Sequence, residues 1–192
     1  ERIEQRHDCE LGADQRKLYL AELRRSRDTV METIQTKGVA KSRMQVLAAL
    51  TRLRQICCHP SLVGNDSSSG KTDALFDLLE PLVAQGEKVL VFSQFVQMLK
   101  VLEKDCGTRE IPTHMLTGET KNRQDVVNEF QESEGAGIFL LSLRAAGTGL
   151  NLTTASYVVL YDPWWNPAVE AQAIDRTHRI GQTKTVNAYK LI

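Results

Sequence analysis

Long apolar runs are missing from these 192 residues: no stretch reaches the roughly 18 consecutive apolar residues that a membrane helix needs. The opening Glu1-Arg2-Ile3-Glu4-Gln5-Arg6 is too charged for a signal peptide, so neither membrane nor secretion is expected and the protein reads as intracellular. Cysteine is scarce as well. Cys9, Cys57, Cys58 and Cys106 lack the spacing of a disulfide framework, which predicts reduced thiols. Cys57-Cys58-His59 has no second ligand pair to complete a tetrahedral zinc site, so no metal is expected. Net charge is absent too, with 24 Lys and Arg against 24 Asp and Glu. The two signs are unevenly placed, 12 basic against 8 acidic in residues 1–60 and 12 against 16 thereafter. A bulk polyanion sponge is thereby excluded, and nucleic acid would have to bind through a local stripe or the basic helical front.

No repeat or low-complexity tract occurs, and a complete phosphate loop is missing. Gly70-Lys71-Thr72 imitates the end of GxxxxGK[ST], but Asn65 stands where the first glycine belongs and a polar stretch leads in where a strand should. An acidic DExH-like strand end, which would hold magnesium and position water, is missing as well. The sequence opens without Met and stops within the apolar segment 186–192, from which we expect a piece of a longer protein.

What is present is a 42% hydrophobic chain, enough for one medium core with an appendage. From Asp14 to about Gln35, Tyr19, Leu23, Val30 and Ile34 recur at helical steps, and from about Ser42 to Cys57 so do Leu47, Leu50 and Leu53, with Gly38 between the two and Pro60 after them. Residues 1–63 are therefore expected to form a helical appendage, and the polar run 64–70 an exposed linker. Beyond it, in 71–192, the short apolar runs Val89–Phe92, Ile138–Leu141 and Val158–Tyr161, with a short strand at Thr113–Leu116, alternate with amphipathic helices at about Thr72–Gln85, Gln94–Asp105, Lys121–Glu132 and Pro167–His178. That alternation predicts an α/β fold, a parallel sheet with helices on both faces. Ligands of such sheets bind beyond the strands' carboxyl ends, which directs attention to Ser93-Gln94, Leu116-Thr117-Gly118, Ser142-Leu143-Arg144 and Asp162-Pro163-Trp164.

The most specific signal is the run Gln172 to Gln182, QAIDRTHRIGQ. On a helix, Arg176 and Arg179 share a face with Gln172 one turn earlier, and two planar guanidiniums pointing together suit the oxygens of a phosphoryl group. Two arginines on a helix are by themselves equally a solvated face, and Gly147-Thr148-Gly149 is equally an ordinary tight turn. Asp162-Pro163-Trp164-Trp165-Asn166-Pro167 is a stiff aromatic loop in which Asn166 and Pro167 fit the cap and first position of the following helix. Trp164 suits core packing, whereas Trp165 suits a nucleic-acid strand or a domain interface.

Taken in order, Lys88–Phe95, Leu116-Thr117-Gly118, Leu141–Leu152, Asp162–Pro167 and Gln172–Gln182 resemble motifs IV, IVa, V, Vb and VI of the SWI/SNF-type superfamily 2 ATPases, and Leu53–Pro60 resembles the helix that opens their second lobe. The resemblance spans roughly residues 10–192 and implies the C-terminal RecA-like lobe of a two-lobed motor on double-stranded DNA. By matching position, Arg176 and Arg179 would be arginine fingers, and Gln172, Gly149 and Asn151 would lie near the nucleotide. Ser93, Gln94, Thr117, Gly118, Ser142, Arg144 and Trp165 would track the DNA backbone. ATP and Mg would be bound mainly by an N-terminal RecA-like lobe of the same full-length protein, whose motifs have no counterpart here, so this stretch alone is expected not to hydrolyse ATP. A non-catalytic DNA- or protein-binding module of the same fold is the competing reading. The missing basic localisation run points to a prokaryotic cytoplasm and its nucleoid, or to a nucleus if the source is eukaryotic.

Overall fold

A computed structural model describes residues 1–146, 150–164, 166–175 and 182–192. It divides into two compact units, Glu10–Asp73 and, discontinuous in sequence, Glu1–Cys9 with Ala74–Ile192.

The first unit is a helical hairpin of α1 (Ala13–Lys37) and α2 (Val39–Cys58), turned by Gly38 at φ 86°, a left-handed value that favours glycine. The helices run antiparallel. Gln15, fully buried near the start of α1, donates from Nε2 to the carbonyls of Ile56 (2.8 Å) and Cys57 (3.3 Å) at the end of α2. About two turns further along α1, the buried Glu22 carboxylate accepts from Arg25 (2.8 Å) and, across the hairpin, from Arg52, about one turn before Ile56 (3.0 Å). Burial pushes this carboxyl's pKa up, but the hydrogen bonds and charges of Arg25 and Arg52 outweigh it and hold the group below its ordinary value.

The polar run expected to be a free linker is ordered. Ser69 is buried, donates to the Cys58 carbonyl at 2.7 Å and accepts from the Thr72 amide, starting α3 (Gly70–Ala84). Gly70 sits so close to residue 10 that a Cβ would lie 1.9 Å from the Glu10 carbonyl oxygen. Its amide donates to Gln15 Oε1 at 3.0 Å, so the apparent phosphate-loop remnant is a close backbone crossing whose N–H is already used.

The second unit holds a six-stranded parallel sheet of β1 (Arg2–His7), β2 (Lys88–Ser93), β3 (Thr113–Leu116), β4 (Gly137–Ser142), β5 (Tyr157–Leu160) and β6 (Val186–Leu191), in the order β1-β6-β5-β2-β4-β3. Residues 1–63 were expected to form a helical appendage, yet Arg2–His7 pair with β6 from Arg2↔Val186 to His7↔Leu191. The alternating charges of this strand suit an exposed sheet edge, and its partner lies at the opposite end of the sequence, so no local pattern announces the pairing. Register places Leu90, Phe139, Val158 and Ala188 in one row and Phe92, Leu141 and Leu160 in the next. These rows form one face of the core with Val127 and Phe130 of α5 (Arg123–Glu132) and Ile174 of α7 (Pro167–Asp175). Alternation along the strands sends Val89, Val91, Ile138 and Leu140 to the other face, where α4 (Val96–Thr108) lies against β2, β3 and β4. A short helix, α6 (Leu143–Ala146), follows β4. Among the described residues no helix is long and apolar enough to cross a membrane.

Candidate nucleic-acid and nucleotide edge

Because every strand pair is parallel, the carboxyl ends of β2, β3, β4 and β5 lie on one side, with Ser93 opposite Ser142, Leu116 opposite Leu141, and Phe92 opposite Leu160. The sheet therefore brings together the four loops singled out in the sequence.

Asp162, 3% exposed just past β5, is their strongest link. Its Oδ1 accepts from the Ser93 hydroxyl at 2.5 Å and its Oδ2 from the Gln94 amide at 3.1 Å, while Gln94 Nε2 donates to the Pro163 carbonyl at 3.2 Å. A buried carboxylate is stable when its oxygens are hydrogen-bonded, and here those bonds fix one loop against the next. Ser93 Oγ also accepts from the Phe95 amide at 3.1 Å. Ser93 is fully buried with its hydroxyl engaged on both sides, and Ser142, 4% exposed, uses its hydroxyl to accept from Ala145 at the start of α6. Both serines thus anchor loops, and the side chain of Gln94 beside them is half-buried.

At the neighbouring strand end, Thr117 Oγ1 accepts from the Glu119 amide at 3.3 Å and its carbonyl from Arg123 at 3.4 Å, forming a tight turn with Gly118 exposed. Arg144 is exposed at the start of α6, and a Cβ on Gly118 would lie 3.8 Å from Arg144 Cδ, so the two loops adjoin. A guanidinium beside an unshielded glycine backbone forms a surface suited to a phosphate backbone.

Across β5, Asn166 caps α7 through its Oδ1, which accepts from Ala168 at 3.0 Å. Trp164 packs partly buried against the core. Its amide donates 2.8 Å to Oε1 of Glu170, whose Oε2 lies 3.2 Å from Lys190 Nζ on β6. Glu170 is 7% exposed, and sequence reading passed over it because one glutamate in a helix carries no pattern. Gln172 is exposed on the same helix, and Asp175 at its end pairs with Arg2 of β1 at 2.6 Å.

Two further glutamines escaped the sequence reading. Gln131 on α5 donates to the Asn151 carbonyl at 3.3 Å and accepts from Thr154, and Gln182 donates to the carbonyls of Thr153 (2.7 Å) and Ala155 (3.1 Å). The loop after β4 is thus tied both to α5 and to the last residue of the arginine motif, leaving the Asn151 side chain exposed. Gly149, Trp165, Arg176 and Arg179 lie outside the described residues. Among the described residues no group of three or more His, Cys, Asp or Glu is placed to hold a metal ion.

Residues 70–181 match the helicase conserved C-terminal domain. The Bacillus subtilis protein YwqA, an ATP-dependent helicase/translocase by name, is 38% identical over 205 aligned residues covering 100% of this chain and 21% of its own length. The mouse SWI/SNF-related matrix-associated actin-dependent regulator of chromatin subfamily A member 1 is 40% identical over 169 residues, covering 78% of this chain and 16% of its own. The chain therefore spans about a fifth or less of these relatives. The Sulfolobus solfataricus SWI2/SNF2 ATPase core, solved in complex with double-stranded DNA, superposes with a TM-score of 0.82 at 32% identity over 100% of this chain and 41% of that one.

Proposed function

Because the chain belongs to the helicase conserved C-terminal domain family, as a SWI/SNF-type RecA-like lobe, we propose that it is the second half of an ATP-driven translocase on double-stranded DNA. What supports this reading above all is the convergence of four loops on one sheet edge, with exposed Arg144 against the open backbone of Gly118. On this edge Gln94, Thr117, Gly118, Arg144 and Trp165 would meet the DNA backbone. Ser93 and Ser142, with their hydroxyls engaged internally, would hold those contacts in place.

The nucleotide-facing residues would be Arg176 and Arg179, with Gln172, Gly149 and Asn151 beside them. ATP, when bound, would supply free energy through transfer of its terminal phosphoryl group to water, with ADP and inorganic phosphate as products. The Gly70 crossing leaves no amide cradle for phosphates, so in this reading the triphosphate and Mg are held mainly by an N-terminal lobe of the same protein. The arginines would complete the site only on closure, by stabilising charge on the transferring group. Each closure would then move the DNA-tracking loops along a strand. The relatives come from bacteria and eukaryotes, and work on DNA in a nucleoid or nucleus accords with both; the bacterial cytoplasm is the setting we favour.

Arginine fingers typically contribute on the order of 10³ to 10⁵ in rate. Arg176→Ala and Arg179→Ala in the full-length protein should each lower DNA-stimulated ATP turnover by orders of magnitude while binding of a non-hydrolysable ATP analogue persists. Wild-type turnover in both variants would reject the finger assignment and favour a non-catalytic binding module.

A further inference from the structure

Arg2 opens β1, yet its side chain joins the helix that leads into the arginine motif. Paired residues of a parallel sheet point to the same side, and Arg2 and Glu4 lie opposite Val186 and Ala188 of β6, which belong to the core face shared with Ile174 of α7. Both charged side chains therefore stand on the α7 side of the sheet. There one guanidinium serves two carboxylates, with Nη1 donating to Asp175 Oδ1 and Nη2 to Glu4 Oε1, each at 2.6 Å. Asp175 is the last residue of α7 and directly precedes Arg176. The contact spans 173 positions of sequence, and Arg2 itself lies outside residues 70–181, the part that matches the helicase domain.

As a surface ion pair this contact adds little to stability, since the Asp175 side chain is 60% exposed and water screens it. Its geometry serves position instead. Glu4 holds the guanidinium from the same strand, and a six-residue ladder with β6 holds that strand. Arg2 Nε is shielded from water and has no acceptor among the described residues, a cost that a residue kept for stability alone would avoid. At the far end of the motif, Gln182 donates to the carbonyls of Thr153 and Ala155. Between these two ties the sequence carries both arginines assigned above to the nucleotide, and a finger contributes only where its guanidinium meets the transferring group. We propose that Arg2 is a positioning residue for the arginine motif. Through Asp175 it fixes the end of α7 against β1, so that Arg176 and Arg179 start from a set place when the lobes close. This role rests on the finger reading, because without fingers Arg2 has nothing to place.

The test uses the full-length protein with DNA and two ligands: ADP with aluminium fluoride, which mimics the transferring phosphoryl group and engages fingers, and a non-hydrolysable ATP analogue for the ground state. A misplacement of roughly 1 Å costs on the order of 10² in rate. Arg2→Ala should therefore weaken the aluminium fluoride complex and lower DNA-stimulated kcat by about tenfold or more, with analogue affinity and KM for ATP within about twofold of wild type. In an Arg176→Ala/Arg179→Ala background, Arg2→Ala should weaken the aluminium fluoride complex no further, because the groups it places are gone. Asp175→Ala removes the same pair from the other side and should reproduce each effect, so it decides the matter if Arg2→Ala does not fold. Wild-type affinity for the aluminium fluoride complex, equal weakening of both complexes, or an equal further loss in the double-arginine background would overturn the proposal. Undiminished binding in Arg176→Ala/Arg179→Ala itself would reject the finger reading, whereas loss there with none in Arg2→Ala rejects the positioning role alone.

Discussion

Gly70 illustrates how one residue can carry two readings. In the sequence it sits where a phosphate loop ends; in the structure its missing Cβ makes room for the Glu10 carbonyl, and its amide is held by Gln15. Gly70→Ala should therefore cost about 2–4 kcal/mol, as overpacking against backbone does, with nucleotide binding by the full-length protein unchanged. Denaturant melts with an ATP-analogue titration check both halves, and lost nucleotide affinity in a fully folded variant would restore the phosphate reading. The roles of single polar residues were legible to different degrees. Asn166 could be assigned as the α7 cap because capping follows a local rule. Asp162, Gln131 and Gln182, and Glu170 in its pair with Lys190, act on groups brought near only by the fold, so their spacing in sequence says nothing about them.

Elements tied by buried carboxylates give the next pair of predictions. Glu170 joins the Trp164 loop to α7 and to β6, so Glu170→Ala leaves the Trp164 amide without its acceptor and should destabilise by about 1–3 kcal/mol. Glu170→Gln retains an acceptor and should cost less. Urea melts rank the two variants, and equal loss in both would mean that the Lys190 pair, rather than the Trp164 bond, carries the link. In the hairpin, Glu22 has a folded pKa below its ordinary value, so its stabilisation is fully present above the unfolded carboxyl pKa and fades as pH falls through the folded one. Glu22→Gln should lower stability at neutral pH by about 1–2 kcal/mol and flatten the acid side of the stability profile, which melts at pH 7 and pH 3 compare. The helices and the central strands were legible because their periodicity is local: the buried runs of β2, β4 and β5 stand out as unbroken apolar stretches. The two strands at one end of the sheet were not. Strand β1 carries charges suited to an edge, and β6 read only as an apolar segment near the end of the sequence.

For the whole molecule, the order of motifs decided the family, while the division into units did not follow the composition. The Gly- and Ser-rich run 64–70 reads as a linker, yet Ser69 and Gly70 are spent on internal contacts and the second unit, begun at Glu1–Cys9, resumes only at Ala74. In the motor reading one lobe supplies arginines to a nucleotide held by another. Purified residues 1–192 should therefore show no magnesium-dependent ATP hydrolysis with or without DNA, measured by phosphate release; sustained turnover from a homogeneous sample would place a complete site within this lobe.

The pairing of β1 with β6 also bears on the order in which the molecule is made. All of the hairpin and four strands of the sheet are translated between these two neighbours, so residues 2–7 emerge from the ribosome well before the strand they pair with. Contacts so far apart in the chain close slowly, and until Val186–Leu191 appear the flank of β5 remains an unpaired strand edge, the surface on which newly made chains associate wrongly.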